Sequence, residues 1–143
     1  MVIKMDRYIV SACLVGKNTK YNGGNNKNNK IIEFLKDKEY ITVCPEVSGG
    51  LPTPRHPSEI VNDKVINDIN EDVTIQFKIG SALEIEKVKR FKATKAILKS
   101  KSPSCGVDEV YDGTFTKTLT QGDGIFVKEL KKLGIEILTE LDF

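Results

Sequence analysis

The chain has no apolar run long enough to span a bilayer, no CxxC pair, and a net charge of only +2 over 143 residues. Each absence excludes something. Without a bilayer-length run, a membrane-spanning protein is not expected. Without CxxC, the local signatures of zinc ribbons and thioredoxin-like redox sites are missing. A charge so close to zero, with lysines spread along the chain, argues against nucleic acid as the main partner. Charges interrupt residues 1–7 before any apolar region builds, so the N-terminus does not read as a signal peptide. No internal repeat, linker or low-complexity tail stands out. The expectation is a cytoplasmic protein whose thiols stay reduced.

What remains is the material of one ordinary globular domain, spanning residues 1–143, with 39% hydrophobic and 29% charged residues. That length supports a core without disulfides. "RYIVSACLVG" opens as a buried strand that ends near Ala12, and "KNTKYNGGNNKNNK" is a polar Gly/Asn loop. "NKIIEFLKDK" reads as a helix with Ile31, Phe34 and Leu35 on one face, and "YITVCPEV" as a strand ending at Cys44. "SGGLPTPRHPSEI" reads as a stiff loop, and "INDINEDVT" as a turn or short strand. "QFKIGSALEIEKVKRFKA" is the clearest helix, with Ile79, Leu83 and Val88 among its apolar positions. "KAILKS" is a strand, "YDGTF" a turn between extended arms, and "GDGIFVKELKKLG" a helix capped by Asp123 and stopped by Gly134; "IEILTEL" is the last strand. Alternating strands and helices predict an α/β domain in three layers, Rossmann-like or flavodoxin-like, around a mainly parallel sheet.

The three cysteines fall at informative places. Cys13 follows the first strand, Cys44 closes the second, and Cys105 sits in the loop after the third. Open parallel sheets bind ligands beyond the carboxyl ends of their strands, so the fold would gather all three on one edge. An odd count cannot pair fully as disulfides. Three explanations stand at this point: an iron–sulfur cluster with one iron open, a zinc site completed by the single histidine, His56, or three unrelated core thiols.

The order "VSACLVG", "YNGG", "VCPEVSGGLPTPR", "SPSCG", "YDGTF", "GDG" resembles the thiouracil desulfidase family first catalogued as domain of unknown function 523. The resemblance runs from about Tyr8 to Leu138, and its specific parts are the "CPEVSGGLPTPR" and "SPSCG" stretches. It implies that Cys13, Cys44 and Cys105 hold a 4Fe–4S cluster whose fourth iron, free of protein ligands, takes the sulfur of a thiolated pyrimidine base or nucleotide. It implies a non-redox desulfuration that yields the oxo-pyrimidine and sulfide. It also implies a cluster that is fragile in air. Where the family pattern has Asp-Gly-Gly, this chain has Asn22-Gly23-Gly24.

Within that reading the other site residues take roles. Glu46, two residues after Cys44, is the expected general base for water attacking the C=S carbon. Ser102 is the expected substrate contact by resemblance, with Ser104 a second candidate. Lys101 and Arg55 are candidates for a nucleotide phosphate, as are the backbone amides of Gly23 and Gly24. A zinc-binding module, or a cluster-bearing accessory protein without desulfidase activity, is the competing expectation.

Overall fold

The computed structural model describes residues 5–143; part of the N-terminal reading falls on residues 1–4, outside the described residues. Strand β1 (Arg7–Ser11) runs into a 3-10 turn (Ala12–Val15), followed by α1 (Asn29–Leu35), β2 (Glu39–Val43) and the one-turn helix α2 (Pro45–Ser48). A hairpin of β3 (Ser58–Val61) and β4 (Lys64–Asn67) precedes the long helix α3 (Thr74–Phe91) and β5 (Lys95–Leu98). A second hairpin, β6 (Glu109–Tyr111) and β7 (Leu119–Gln121), leads to α4 (Ile125–Lys132), β8 (Glu136–Thr139) and a closing 3-10 turn (Glu140–Asp142). Among the described residues, no helix is long and apolar enough to cross a membrane.

The central sheet has the order β2-β1-β5-β8, and every pairing in it is parallel. Alternation along the strands sorts the core. Ile9, Ala96 and Leu98 point to one face, where Val88 of α3 and Phe126, Val127 and Leu130 of α4 cover them. Tyr8, Val10 and Ile97 point to the other, under Ile31 and Leu35 of α1 and Leu14. Both faces are therefore buried, as parallel sheets require. The chain leaves β1 toward β2 on one side and returns to β5 on the other. That reversal makes the β1/β5 gap the topological switch point, where ligands bind in such sheets. Cys13 follows β1 and Cys105 follows β5.

Four elements differ from the sequence expectation. The stretch read as a stiff loop becomes strand from Ser58 onward, because Asn62, at φ 57°, supplies the left-handed corner of a hairpin. Pro45 does more than end β2: at the first helical position it starts α2, where a missing N–H costs nothing. Helix α3 is rotated from the expected face. Ile79 and Leu83 are exposed, and Phe77, Gly80, Ser81, Glu84 and Val88 turn inward. The cause is the seat of α2 on α3. A Cβ on Gly80 would lie 1.7 Å from the Pro45 carbonyl oxygen, and one on Gly49 would lie 1.9 Å from that of Gln76. Only glycines permit that approach, so Gly80 must face α2.

The fourth difference is the start of α4. Its N-cap is Gly124, with no side-chain bond, rather than Asp123. Carbonyls of the loop that carries Cys105 satisfy the first amides instead: Gly124 N–H donates to Gly106 O at 2.8 Å, Ile125 N–H to Pro103 O at 2.9 Å, and Phe126 N–H to Ser104 O at 3.1 Å. Asp123 accepts the Asp108 N–H at 2.8 Å and pairs with Lys131.

The end of the sheet is fastened by one carboxylate. Glu140 accepts the Ser100 N–H at 2.6 Å and its hydroxyl at 2.8 Å, and lies 3.2 Å from Lys99 Nζ. Burial raises its pKa, but these hydrogen bonds and the lysine outweigh it, and the net shift is downward. A lowered carboxylate pKa contributes stability above its unfolded value, and that stability is lost as pH falls through the folded one. Glu140→Gln should therefore cost about 1–2 kcal/mol at neutral pH. Urea unfolding should show the gap to the parent closing as pH falls through and below the range of ordinary carboxylates, about pH 4. Gly80→Ala should lose about 1–3 kcal/mol by overpacking, and its crystal structure should show α2 displaced from α3.

Candidate metal and active site

Each cysteine is placed by a different local device. Cys13 lies in the 3-10 turn after β1, which Gly16 ends at φ 96°. Its carbonyl accepts the amides of Gly16 and Asn26, and Asn26 Nδ2 donates to its sulfur at 3.3 Å. Cys44 is the N-cap of α2, in extended conformation. Cys105 is buried in the loop fastened to α4. There Ser102 Oγ accepts the Ser104 and Cys105 amides at 3.2 and 3.0 Å, an ST-turn that the Ser-Pro-Ser sequence favours. Gly106 is required by crowding from the Ser102 and Glu109 carbonyls, 2.6 and 3.0 Å from a would-be Cβ.

The thiols are mutually aware. Burial pushes all three pKa values up, Cys105 to about 12, where a hydrogen bond from Ser11 opposes the shift only in part. A charge on Cys13 opposes ionisation of Cys44, and a charge on Cys44 opposes that of Cys105. Such a set becomes three thiolates only with positive charge among them. Among the described residues, however, no three His, Cys, Asp or Glu side chains close tightly enough to hold a single metal ion. Three thiols within electrostatic reach of one another at one end of the sheet are a donor set that suits an iron–sulfur cluster. His56 does not join them: it meets Asp68 at 2.8 Å, and both are exposed.

Beside the thiols lies a short polar chain. Ser104 Oγ donates to Glu46 Oε2 at 2.9 Å and stands 3.0 Å from Ser102 Oγ. Ser104 also lies 3.7 Å from Cys105 Sγ, but the nearer carboxylate is the stronger acceptor. A hydroxyl has one proton. With that of Ser104 on Glu46, Ser102 must donate to Ser104, and the order Ser102 → Ser104 → Glu46 follows. The other carboxylate oxygen, Oε1, accepts from Arg55 Nε at 3.1 Å.

The remaining candidates separate by what their donors already do. Arg55 is nearly buried and engaged throughout: its backbone amide donates to Tyr21 O, its Nη2 to Thr19 O, and its Nη1 to Thr53 Oγ1. It ties the Asn/Gly loop to Glu46 and has no free face for a phosphate. The Gly23 amide donates to Lys20 O and the Gly24 amide to Asn22 Oδ1, so neither is free for a phosphate either. Asn22 acts as the acceptor of an Asx-turn, a bond an aspartate would also make. Lys101, in left-handed conformation at φ 68°, makes no ion pair among the described residues. A surface groove of about 620 Å³ lies between α3, α4 and the first hairpin and includes none of the cysteines.

Sequence reasoning missed Ser11, Asn26 and Glu84. Ser11 interrupts the apolar run before Cys13, and Glu84 sits at i+7 from Phe77 on the inward face of α3; both signals were readable. Asn26 is one asparagine in a loop full of them and carried no signal.

Comparison with known proteins agrees with this geometry. A family model described as 2-thiouracil desulfurase matches residues 8–142. The uncharacterised protein YbbK of Bacillus subtilis is 34% identical over 142 residues, covering 92% of this chain and 94% of its own. A solved structure titled as the 4Fe–4S-dependent thiouracil desulfidase TudS superposes with a TM-score of 0.90 at 34% identity, covering 96% of this chain and 93% of that one. The parallel sheet, the three strand-end thiols and the length of the match lead to one assignment: the chain belongs to the 2-thiouracil desulfurase family.

Proposed function

We propose that this chain hydrolyses a thiolated pyrimidine to its oxo form and hydrogen sulfide, with Cys13, Cys44 and Cys105 holding a 4Fe–4S cluster. The observation that carries the reading is the gathering of three cysteine thiols beside a carboxylate, Glu46, at the end of an oriented hydroxyl chain. Bound there, such a cluster supplies an iron without a protein ligand, a soft Lewis acid suited to a thiocarbonyl sulfur.

The chain's own residues supply the rest. In the net reaction water provides the oxygen and both its protons leave with sulfur, so no electrons are exchanged. Glu46 takes the first proton from that water. Arg55, on the opposite carboxylate oxygen, keeps Glu46 aimed until it does. Ser102, partly exposed where Ser104 is buried, meets the pyrimidine; Ser104 links it to Glu46. A proton held by Glu46 can pass to Ser104 as Ser104 hands its own to Ser102 and Ser102 hands its own to the departing sulfur, so each serine ends with one proton. For a nucleotide substrate, Lys101 is the cation with free donors to meet the phosphate.

Anaerobic reconstitution with iron and sulfide should give a brown protein that releases sulfide from 2-thiouracil or from its nucleotide. Cys→Ser at any of the three positions should lower iron retention. Glu46→Gln should keep the colour and lose roughly 10²–10⁴-fold in turnover. Unchanged turnover with an intact spectrum would sink the base assignment. A colourless protein that binds zinc tightly would sink the whole reading.

A further inference from the structure

Helix α3 carries a buried carboxylate that the reaction above does not use. Glu84 is 1% exposed. An unpartnered charge there would be untenable, so its partners identify its task. Its Oε2 accepts the Cys44 N–H at 3.1 Å and its Oε1 accepts the Ser48 hydroxyl at 2.8 Å. Cys44 and Ser48 are the two ends of α2. Lys87 Nζ, 3.2 Å from Oε2, balances the charge and reaches on to the Thr42 carbonyl at 3.1 Å. One carboxylate thus grips the whole turn that carries Cys44 and Glu46.

The local sequence explains why a distant residue is needed. A short helix commonly secures its N-cap amide with a Glu or Gln at its third position, the capping box. In α2 that position is Val47, which has nothing to offer. The acid of the first turn is Glu46, one place earlier, and it faces Ser104 and Arg55. The Cys44 side chain makes no cap bond either. Glu84 fills the vacant role from another element, and so leaves Glu46 free.

We propose that Glu84 is a positioning residue: through the Cys44 amide and Ser48 it sets where the Cys44 sulfur and the Glu46 carboxylate stand relative to Cys13 and Cys105. Gly80, one turn earlier on α3, sets the distance of approach, and Glu84 sets the orientation. The proposal rests on the cluster reading, and its test separates the two. Glu84→Gln keeps the shape and removes one acceptor oxygen and the charge.

In the metal-free protein, amide hydrogen exchange should speed up in the segment 44–50 and stay at the parent's rate in β1 and β5. In the reconstituted protein, iron loss to a chelator should be about 10–100-fold faster than in the parent, the size usual for partners of metal ligands. Where Glu84→Gln does not accumulate as folded protein, Ser48→Ala loosens the same grip from its other end and should speed iron loss by a smaller factor. Iron loss at the parent's rate in the folded variant would overturn the proposal. So would faster exchange spread evenly over the sheet, which a merely structural role would produce. A parent that takes up no iron overturns the proposed function instead; the exchange result then decides alone whether Glu84 holds Cys44.

Discussion

Helices α2 and α3 touch backbone to backbone, and the arrangement of the site depends on that distance. No side chain fits between the Pro45 carbonyl and Gly80, or between Gly49 and the Gln76 carbonyl. The turn with Cys44 and Glu46 is therefore seated by main-chain contact, which does not relax as a side chain would. The loop with Cys105 is seated in a similar way. Its Pro103, Ser104 and Gly106 carbonyls occupy the first amides of α4, and a Cβ on Gly124 would lie 2.4 Å from the Ser104 carbonyl. Two of the three thiols thus stand on helices that pack against the same face of the sheet. The third, Cys13, stands on the strand itself, one 3-10 turn beyond β1. Relative motion of the three requires repacking of the core rather than a loop swing.

Electrostatics at this edge follows the same division. A charge on half-buried Cys13 opposes ionisation of half-buried Cys44, a charge on Cys44 opposes that of buried Cys105, and Glu46 raises the pKa of both Cys44 and Cys105. The cations nearby do not cancel this freely. Arg55 faces Glu46, Lys87 faces Glu84, and Lys99 faces Glu140, each lysine or arginine already matched to one carboxylate. The protein leaves the thiols without a dedicated counter-charge of their own. Positive charge placed among them, such as the cluster of the proposed function, would relieve that imbalance. A neutral, metal-free edge stays protonated instead.

The parallel sheet, its helices and the gathering of three cysteines were legible from alternation and from strand-end positions alone, because period and topology rule those features. What the sequence did not disclose has one physical origin. The rotation of α3 is decided by a glycine contact across 35 residues, from Pro45 to Gly80, and apolar periodicity pointed to Ile79 and Leu83 instead. The Asp123 cap failed for the same kind of reason: carbonyls from the Cys105 loop had reached the amides first. The engagement of Arg55 was invisible too, since an arginine in a Pro-rich loop looks free until its acceptors fold around it. Close approach and competition for donors are tertiary facts, and local pattern does not encode them.

Arg55 also bears on how the substrate side of the site is divided. By joining Thr19 and Tyr21 of the Asn/Gly loop to Glu46, it makes that loop part of the frame that aims the carboxylate. Asn22 closes the same loop with a neutral amide oxygen, and a carboxylate there would add negative charge without adding a bond the turn lacks. Under the proposed function, recognition of an anionic substrate would then fall to Lys101, which precedes Ser102 in the sequence. The Ser102–Ser104 pair joins the Cys105 loop to Glu46 by hydrogen bonds.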